Sequence, residues 1–250
     1  ASGKIGQAGK FDGVDDYVDV GNVLNFERTD SFSIGAWVKT TDTDGMIVGK
    51  MGGSPYTGYL LYNTGNKLTF YLINNYTSSN YLSTAETGTG AISNGVWHYT
   101  VVTYNGTSLV SGVKIYVDGI LLPTTTILDS LTSSVITSQN FRIGERTDNT
   151  LALIGLIDDT RVYNRALSAT EIQQLYSMGG GKIAKSTSQG GLNNGLVGWW
   201  TFDGDSARGG ANAYALDKSA NNNTATGVCS PTAVAGKIGQ AMKFNGTLTS

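Results

Sequence analysis

Short segments in which apolar and polar residues alternate recur along most of the chain. In the clearest of them, Phe32, Ile34, Ala36 and Val38 share one face and Trp37 lies on the other. Alternation of this kind predicts a β-strand with one face in a core. Because similar segments recur about every ten residues with turn signals between them, the pattern predicts an antiparallel two-sheet sandwich.

Turn residues stand between these segments at the positions where hairpins need them. Residues 63–66 (Asn-Thr-Gly-Asn) separate apolar segments at 59–62 and 67–72, and an Asp-Gly pair at 118–119 follows another strand. Gly, Asn and Asp tolerate the left-handed backbone conformation that tight hairpin turns require. The sequence therefore predicts two β-hairpins at these places.

One segment has the pattern of a helix instead of a strand. Ser168 precedes it, and Glu171 follows three positions later, an arrangement in which the two side chains cap the first turn reciprocally. Ile172 and Leu175 share one face and can pack against a sheet. We predict a helix of about two turns here, with a structural role.

The chain carries two copies of one motif. Residues 3–13 (GKIGQAGKFDG) and 236–246 (GKIGQAMKFNG) agree at nine of eleven positions, at an offset of 233 residues. That offset is too long for a solenoid or propeller repeat and has the size of a whole domain. We therefore expect one period of a tandem array of domains, cut within a domain.

The composition agrees with an all-β protein. The chain contains 34 Gly and 13 Tyr, and only 14% of its residues are charged; Tyr and Thr favour strands, whereas Gly and Asn favour turns. A net charge of −2 without a basic segment argues against nucleic acid as a partner, and no apolar run is long enough for membrane insertion. The single Cys229 excludes an internal disulfide. Such a composition is typical of bacterial proteins that are secreted or held at the cell surface.

Five sequence motifs follow one another along the chain: FDGVDDYV at 11–18, FSIGAWV at 32–38, WHYTVVTYNG at 97–106, IYVDG at 115–119 and IDDTRVYNRALS at 157–168. Together they resemble the bacterial laminin-G-like domains of the concanavalin A-like lectin/glucanase superfamily. This resemblance implies a jelly-roll sandwich of two antiparallel sheets and a non-catalytic role.

The order of the strands departs from that family. The family usually opens with a strand like LVGWWTFD, which stands here at 196–203. We therefore expect residues 1–178 to form a jelly roll without its first strand, residues 179–194 to be a flexible linker, and residues 195–250 to supply the missing strands. These strands complete the domain in cis, as in a circular permutation, or start the next repeat, and both alternatives remain open. If they close in cis, we expect the first motif copy to take the contested strand position.

The resemblance also implies a structural calcium ion between the first and last strands. Asp158 and Asp203 would supply carboxylates and Gly13 a backbone carbonyl, which are oxygen ligands of the kind that calcium prefers. A further group of acidic residues crowds one strand entry: Asp12, Asp15, Asp16 and Asp19. Because Asp also stabilises turns without a metal, both interpretations of these residues remain open.

Six tyrosines are concentrated between residues 55 and 82, beside many Asn and Ser residues. An exposed Tyr can pack against a sugar ring with its face and donate a hydrogen bond with its hydroxyl group. We expect five of the six to bind a ligand, either a glycan or a cell-surface protein: Tyr56, Tyr59, Tyr62, Tyr71 and Tyr76. The alternative is that they are ordinary strand residues, half packed and half exposed.

Catalysis is not expected. A glycoside hydrolase needs two carboxylates that flank one cleft, whereas Glu27 with Asp30 and Glu145 with Asp148 fall in predicted turns, and the Glu-x-Asp-x-x-Glu hydrolase signature is absent. His98, the single histidine, is interpreted as a partly buried side chain with satisfied hydrogen bonds. We therefore interpret the chain as a non-catalytic binding or adhesion module that adjoins further repeats of the same protein. The alternatives are a structural spacer in a surface array and, less favoured, a polysaccharide-degrading enzyme.

Overall fold

The structure, a computed structural model, describes residues 3–4, 8–87, 92–179, 189–201, 213–227, 232–235 and 240–243. These residues form two sheets of nine strands each. All strand pairs are antiparallel except one, and the two sheets enclose a common hydrophobic core. The predicted all-β sandwich is therefore confirmed.

The first sheet contains eight strands in spatial sequence and a ninth beside one of them. In spatial order they are β10 (Ile120–Leu121), β9 (Val113–Val117), β8 (Trp97–Asn105), β3 (Ser31–Thr40), β13 (Ile154–Tyr163), β1 (Gly9–Asp12), β18 (Gln240–Lys243) and β17 (Thr232–Ala235). The ninth strand, β14 (Leu196–Trp200), also pairs with β13.

The second sheet faces the first across the core. Its spatial order is β11 (Thr124–Asp129), β7 (Asn80–Glu86), β6 (Lys67–Asn75), β5 (Gly58–Thr64), β4 (Asp44–Met51), β12 (Phe141–Ile143), β2 (Val18–Gly21), β16 (Ala225–Gly227) and β15 (Ala213–Ala215). Two α-helices, α1 (Ala169–Gly179) and α2 (Gln189–Leu192), and a single 3-10 turn at Val110–Gly112 complete the described structure. No helix in the described parts of the chain is long and apolar enough to cross a membrane.

Phe32 lies at the centre of the aromatic part of the core. Its ring centroid is 4.7 Å from that of Phe26, 5.4 Å from that of Tyr59 and 5.5 Å from that of Tyr104. Contacts of this kind add to the free energy gained by burying each ring, by about 0.5–1.5 kcal/mol per pair. Alternation along β3 turns Trp37 to the other side of the sheet, where it packs beneath α1, so the predicted division of faces is confirmed.

Both predicted hairpins and the predicted helix are present. Gly65 and Asn66 both have positive φ in the turn between β5 and β6, as do Asp118 and Gly119 between β9 and β10. Such pairs form the tight turn whose twist matches the flanking strands. The helix α1 runs three residues further than the segment 168–176 that carried its pattern, ending at Gly179.

The strand β14 pairs with β13 of the same chain, with Trp200 opposite Thr160. Trp200 is fully buried, and its ring stacks on Phe141 of the second sheet at 5.8 Å between centroids. This strand therefore closes the core in the structure. Whether two molecules exchange it in solution stays a prediction.

The two motif copies lie next to each other in the first sheet. The first copy contributes β1, which pairs with β13, and the second contributes β18, which runs parallel to β1 with Lys10 opposite Lys243. These two lysines occupy equivalent positions in the motif. The prediction of a flexible linker at 179–194 is wrong in part, because residues 189–192 are helical. Residues 180–188 lie outside the described ranges.

Candidate functional site

A cavity of about 300 Å³ opens on the outer face of the second sheet, the face turned away from the core. Strand β5 shows how the faces divide, because Tyr59 and Leu61 belong to the core while Leu60 belongs to a separate apolar group outside it. Side chains on a strand alternate between faces. Tyr62 therefore shares the outer face with Leu60, and both line the cavity.

Four tyrosines, one threonine and two charged side chains provide the polar part of this lining. We call the site the tyrosine cavity, and its polar lining residues are Asp44, Tyr56, Tyr62, Thr64, Tyr71, Tyr76 and Arg146. Its apolar part consists mainly of Met51, Leu60, Ile73 and Leu151. An apolar surface with a few convergent polar groups is the usual composition of a small-molecule binding site.

The tyrosine rings support one another. Tyr62 and Tyr71 have ring centroids 5.8 Å apart, and Tyr56 meets Tyr76 edge to face at 5.8 Å. Tyr76, which is 44% exposed, stacks on Tyr81 at 5.0 Å. Burial raises the pKa of Tyr62 well above its usual range, so its hydroxyl group remains a neutral hydrogen-bond donor at physiological pH.

Arg146 adds a cation at one end of the cavity. Its guanidinium carbon lies 4.9 Å from the centroid of the Tyr56 ring. Nε donates to Asp148 Oδ1 at 2.8 Å and Nη2 donates to Asp148 Oδ2 at 2.9 Å, while Thr150 accepts a further bond of 2.6 Å. Burial opposes ionisation of Asp148, but these hydrogen bonds hold its pKa below the usual range. The arginine is therefore fixed in place before any ligand binds.

Tyr59 is not part of this site, and its prediction as a ligand-binding residue is wrong. Its side chain is only 1% exposed, lies within the aromatic core and donates a hydrogen bond to the carbonyl oxygen of Leu24 at 2.8 Å. The other four predicted tyrosines, at positions 56, 62, 71 and 76, are brought together in the cavity. Their role as ligand contacts stays a prediction.

The sequence did not indicate that Asp44, Arg146 and Leu151 belong with the tyrosines. Arg146 and Leu151 follow β12, which lies beside β4 in the second sheet, with Arg142 opposite Gly49. This pairing joins segments about 90 residues apart, and a long-range pairing of that kind leaves no local sequence signal. No motif could therefore have linked these residues to the tyrosine cluster.

The metal ligands expected from the family resemblance are not all brought together. Asp12, the neighbour of Gly13, pairs with Ile154. Asp158 lies four residues beyond Ile154 on the same strand, a distance of roughly 13 Å, so Asp158 and Gly13 cannot share one cation. Asp158 is buried, and one of its oxygens accepts a hydrogen bond from the backbone nitrogen of Lys4 at 2.8 Å. Asp203 lies outside the described residues, and its part in a metal site stays a prediction.

His98 and Asp148, two of the residues considered for catalysis, are both held by side-chain contacts. His98 is partly buried, with Nδ1 2.8 Å from Asp118 Oδ2 and Nε2 3.0 Å from Asn94 Oδ1, which confirms its interpretation as a satisfied side chain. Asp148 is engaged by Arg146. Among the described residues that line the tyrosine cavity, Asp44 is the only carboxylate, whereas glycoside hydrolysis usually needs two.

Residues 12–173 match the model of a laminin-G family described as the concanavalin A-like lectin/glucanases superfamily. No curated protein matches the sequence. Among solved structures, the fold is similar to a candidate carbohydrate-binding protein from Bacteroides ovatus, with a TM-score of 0.60 and 17% sequence identity. The similarity covers 90% of this chain and 58% of that chain, so the present chain spans little more than half of its length.

Two further solved structures show weaker similarity to this chain. A heptameric SAP-like pentraxin from Limulus polyphemus has a TM-score of 0.50 and 14% identity, over 67% of this chain and 80% of that chain. The Ruminococcus gnavus IT-sialidase CBM40 bound to α2,3 sialyllactose has a TM-score of 0.46 and 16% identity, over 59% of this chain and 83% of that chain. At these identities the similarities describe the fold alone.

Proposed function

The chain belongs to the concanavalin A-like lectin/glucanase superfamily, and from this premise we propose that it is a non-catalytic module that binds a glycan in the tyrosine cavity. The observation that carries the proposal is the cavity itself, in which four tyrosines surround an apolar surface beside Arg146 and Asp44. A sugar ring has apolar C–H faces and a rim of hydroxyl groups, so it needs both kinds of contact.

The geometry provides for both. The ring faces of Tyr71 and Tyr62 can pack against the C–H face of a sugar, as amphipathic aromatic side chains do in other binding sites. The guanidinium group of Arg146 supplies donors, and the carboxylate of Asp44 supplies acceptors, for hydroxyl groups at the rim. A volume of about 300 Å³ is at the lower end of the range for ligand sites. It therefore suits one or two sugar units rather than a long chain.

Two further observations support a binding role. The Bacteroides ovatus structure with the same fold is that of a candidate carbohydrate-binding protein. In addition, the described residues that line the cavity include a single carboxylate, which leaves a hydrolytic mechanism without its usual second acid. We accordingly assign the chain to a secreted or cell-surface protein, where glycans and other surface partners are accessible.

A glycan array tests the proposal directly. The parent chain is compared with two variants. Tyr71→Ala removes one wall of the cavity. Tyr176→Ala is the matched control: it makes the same truncation in helix α1, away from the cavity, where Tyr176 stacks on Trp37 at 5.6 Å. We expect binding by the parent and the Tyr176 variant, and loss of binding by the Tyr71 variant. An array on which the parent binds no glycan would favour the structural spacer instead.

A further inference from the structure

A second site lies away from the tyrosines, at the entry to β2. We propose that the chain binds a divalent cation of the calcium class through the carboxylates of Asp12, Asp15, Asp16 and Glu145. This set, which we call the acidic cluster, differs from the Asp158, Asp203 and Gly13 set that the family resemblance implies. It also does not depend on the proposed glycan site.

The three aspartates are close enough to share one ion. One carboxylate oxygen from each of Asp12, Asp15 and Asp16 lies within 4.8 Å of the other two. Calcium binds oxygen at 2.3–2.6 Å, so two oxygens on opposite sides of one ion are up to about 5 Å apart. The spacing therefore allows all three to contact the same calcium ion without a rearrangement of the chain.

Backbone hydrogen bonds hold two of these carboxylates in position. Asp12 Oδ1 accepts a bond from the backbone nitrogen of Val14 at 2.9 Å, and Asp16 Oδ2 accepts one from the backbone nitrogen of Asp12 at 3.1 Å. The other oxygen of Asp16 is buried and accepts no hydrogen bond from any described residue. Asp16 is only 1% exposed, so water cannot readily supply the missing bond.

The position of Glu145 is a second, independent observation that points to a ligand, because this residue follows strand β12 and is distant in sequence from the aspartates. Strands β12 and β2 are antiparallel with Ile143 opposite Val18. Strand β12 ends at Ile143, and Gly144, the next residue, lies against the ring of Phe11, the neighbour of Asp12. Glu145, about 130 residues further along the chain, therefore lies beside the segment that carries the aspartates.

The carboxylate of Glu145 has one long ionic contact and no hydrogen bond from any described residue. It is only 1% exposed, and neither of its oxygens accepts a hydrogen bond from any described residue. The ionic contact is with Arg142, whose Nη1 is 3.9 Å from Oε2, but that guanidinium group also pairs with Asp19 at 3.3 Å and lies over the Tyr17 ring. A buried carboxylate with so little compensation is costly unless a further cation binds to it.

The electrostatics of the cluster agree with this geometry. Burial is the main cause that raises the pKa of Glu145 to about 7, and the charges of Asp15, Asp148 and Asp16 raise it further against the influence of Arg142. Burial likewise raises the pKa of Asp16 to about 6, with repulsion from Asp12 as the next cause. A divalent cation bound here would offset both the desolvation and the mutual repulsion of these groups.

Calorimetry and thermal melting test the site. Four proteins are freed of metal with EDTA, dialysed, and titrated with calcium chloride. They are the parent, the two cluster variants Glu145→Gln and Asp16→Asn, and the control variant Asp158→Asn. We expect one calcium per chain in the parent, and a rise in Tm of about 5–10 °C at a hundredfold excess over Kd. Glu145→Gln and Asp16→Asn should each weaken calcium binding at least about tenfold, while Asp158→Asn leaves it unchanged.

The metal-free proteins distinguish a ligand role from a merely structural one. If Glu145 is a calcium ligand, Glu145→Gln removes like-charge repulsion, so the metal-free variant should melt at or above the metal-free parent. A lower melting temperature in that state would instead indicate a structural carboxylate and contradict the proposal. The proposal is also overturned if the parent shows no response to calcium, or if its response survives in both variants of the cluster and disappears in Asp158→Asn.

Discussion

Tyr62 and Tyr71 lie 5.8 Å apart between ring centroids on the neighbouring strands β5 and β6. The register pairs Tyr62 with Thr69 and Leu60 with Tyr71, so the two tyrosines are diagonal neighbours on one face of the sheet. Two paired strands inside the sheet therefore fix the wall of the tyrosine cavity. A preformed wall reduces the entropy that is lost when a ligand binds.

Tyr59→Phe should destabilise the fold without affecting ligand binding. The substitution leaves the carbonyl group of Leu24 without the hydroxyl donor that now lies 2.8 Å away in the buried core. We expect a loss of about 1–2 kcal/mol in the free energy of unfolding, measured in urea. Ligand affinity should equal that of the parent. A weaker affinity would show that Tyr59 contributes to ligand binding.

The cap of helix α1 should make stability depend on pH in the acidic range. Hydrogen bonds from Arg165 are the largest cause that lowers the pKa of Glu171 from 4.5 to about 2, although partial burial opposes the shift. A depressed carboxyl pKa contributes stability that is complete above pH 4.5 and is lost as pH falls towards 2.

Glu171→Gln measures that contribution. At pH 7 it should lower the free energy of unfolding by about 1–2 kcal/mol, since Glu171 caps the helix together with Ser168 and is about one quarter exposed. The difference between the variant and the parent should shrink as pH falls from 4.5 towards 2. A difference that stays constant over that range would contradict an electrostatic role.

The strand β14 should close the core of its own chain in dilute solution. Trp200 is fully buried against Phe141, so a chain without β14 would expose a large apolar surface. We expect light scattering to show monomers at micromolar concentration. Deletion of residues 236–250 should leave a folded monomer with little loss of stability, because β1 keeps its pairing with β13. Dimers or longer species in the parent would instead show exchange of strands between molecules.

The chain should have no polysaccharide-degrading activity. Incubation with laminarin, alginate, xylan and agarose is expected to release no sugar above the blank, because the described lining of the tyrosine cavity provides only one carboxylate. Reducing-sugar assays and mass spectrometry of the products measure this. Turnover that Glu145→Gln or His98→Ala abolishes would show that the protein is an enzyme.

Local sequence signals predicted most of the fold. The alternation of Phe32 to Val38, the Asp118-Gly119 turn and the pairing of Ser168 with Glu171 each lie within a few residues, and the structure confirms all three. Such features depend on backbone geometry near one point in the chain, so they can be recognised without knowledge of the tertiary structure.

The site was less predictable for two physical reasons. Residues 59–62 (Tyr-Leu-Leu-Tyr) are apolar at every position, so no alternation indicated which tyrosine faces the core. The other reason is long-range strand pairing: β12 pairs with β4 and with β2, so the residues that follow it bring Arg146 to the tyrosines and Glu145 beside the segment that carries Asp16. A shift of one residue in the pairing of β12 would turn its side chains to the opposite face of the sheet, and nothing in the local sequence determines that register.

The most direct test of the central claim is a calorimetric titration of the strongest glycan from the array into the parent, Tyr71→Phe and Tyr71→Ala. Tyr71→Phe retains the ring that packs on the sugar, so we expect an affinity within about threefold of the parent. Tyr71→Ala removes the ring and should weaken binding by about tenfold or more, equivalent to about 1.4 kcal/mol. Equal affinities for all three proteins would contradict a glycan site in the tyrosine cavity.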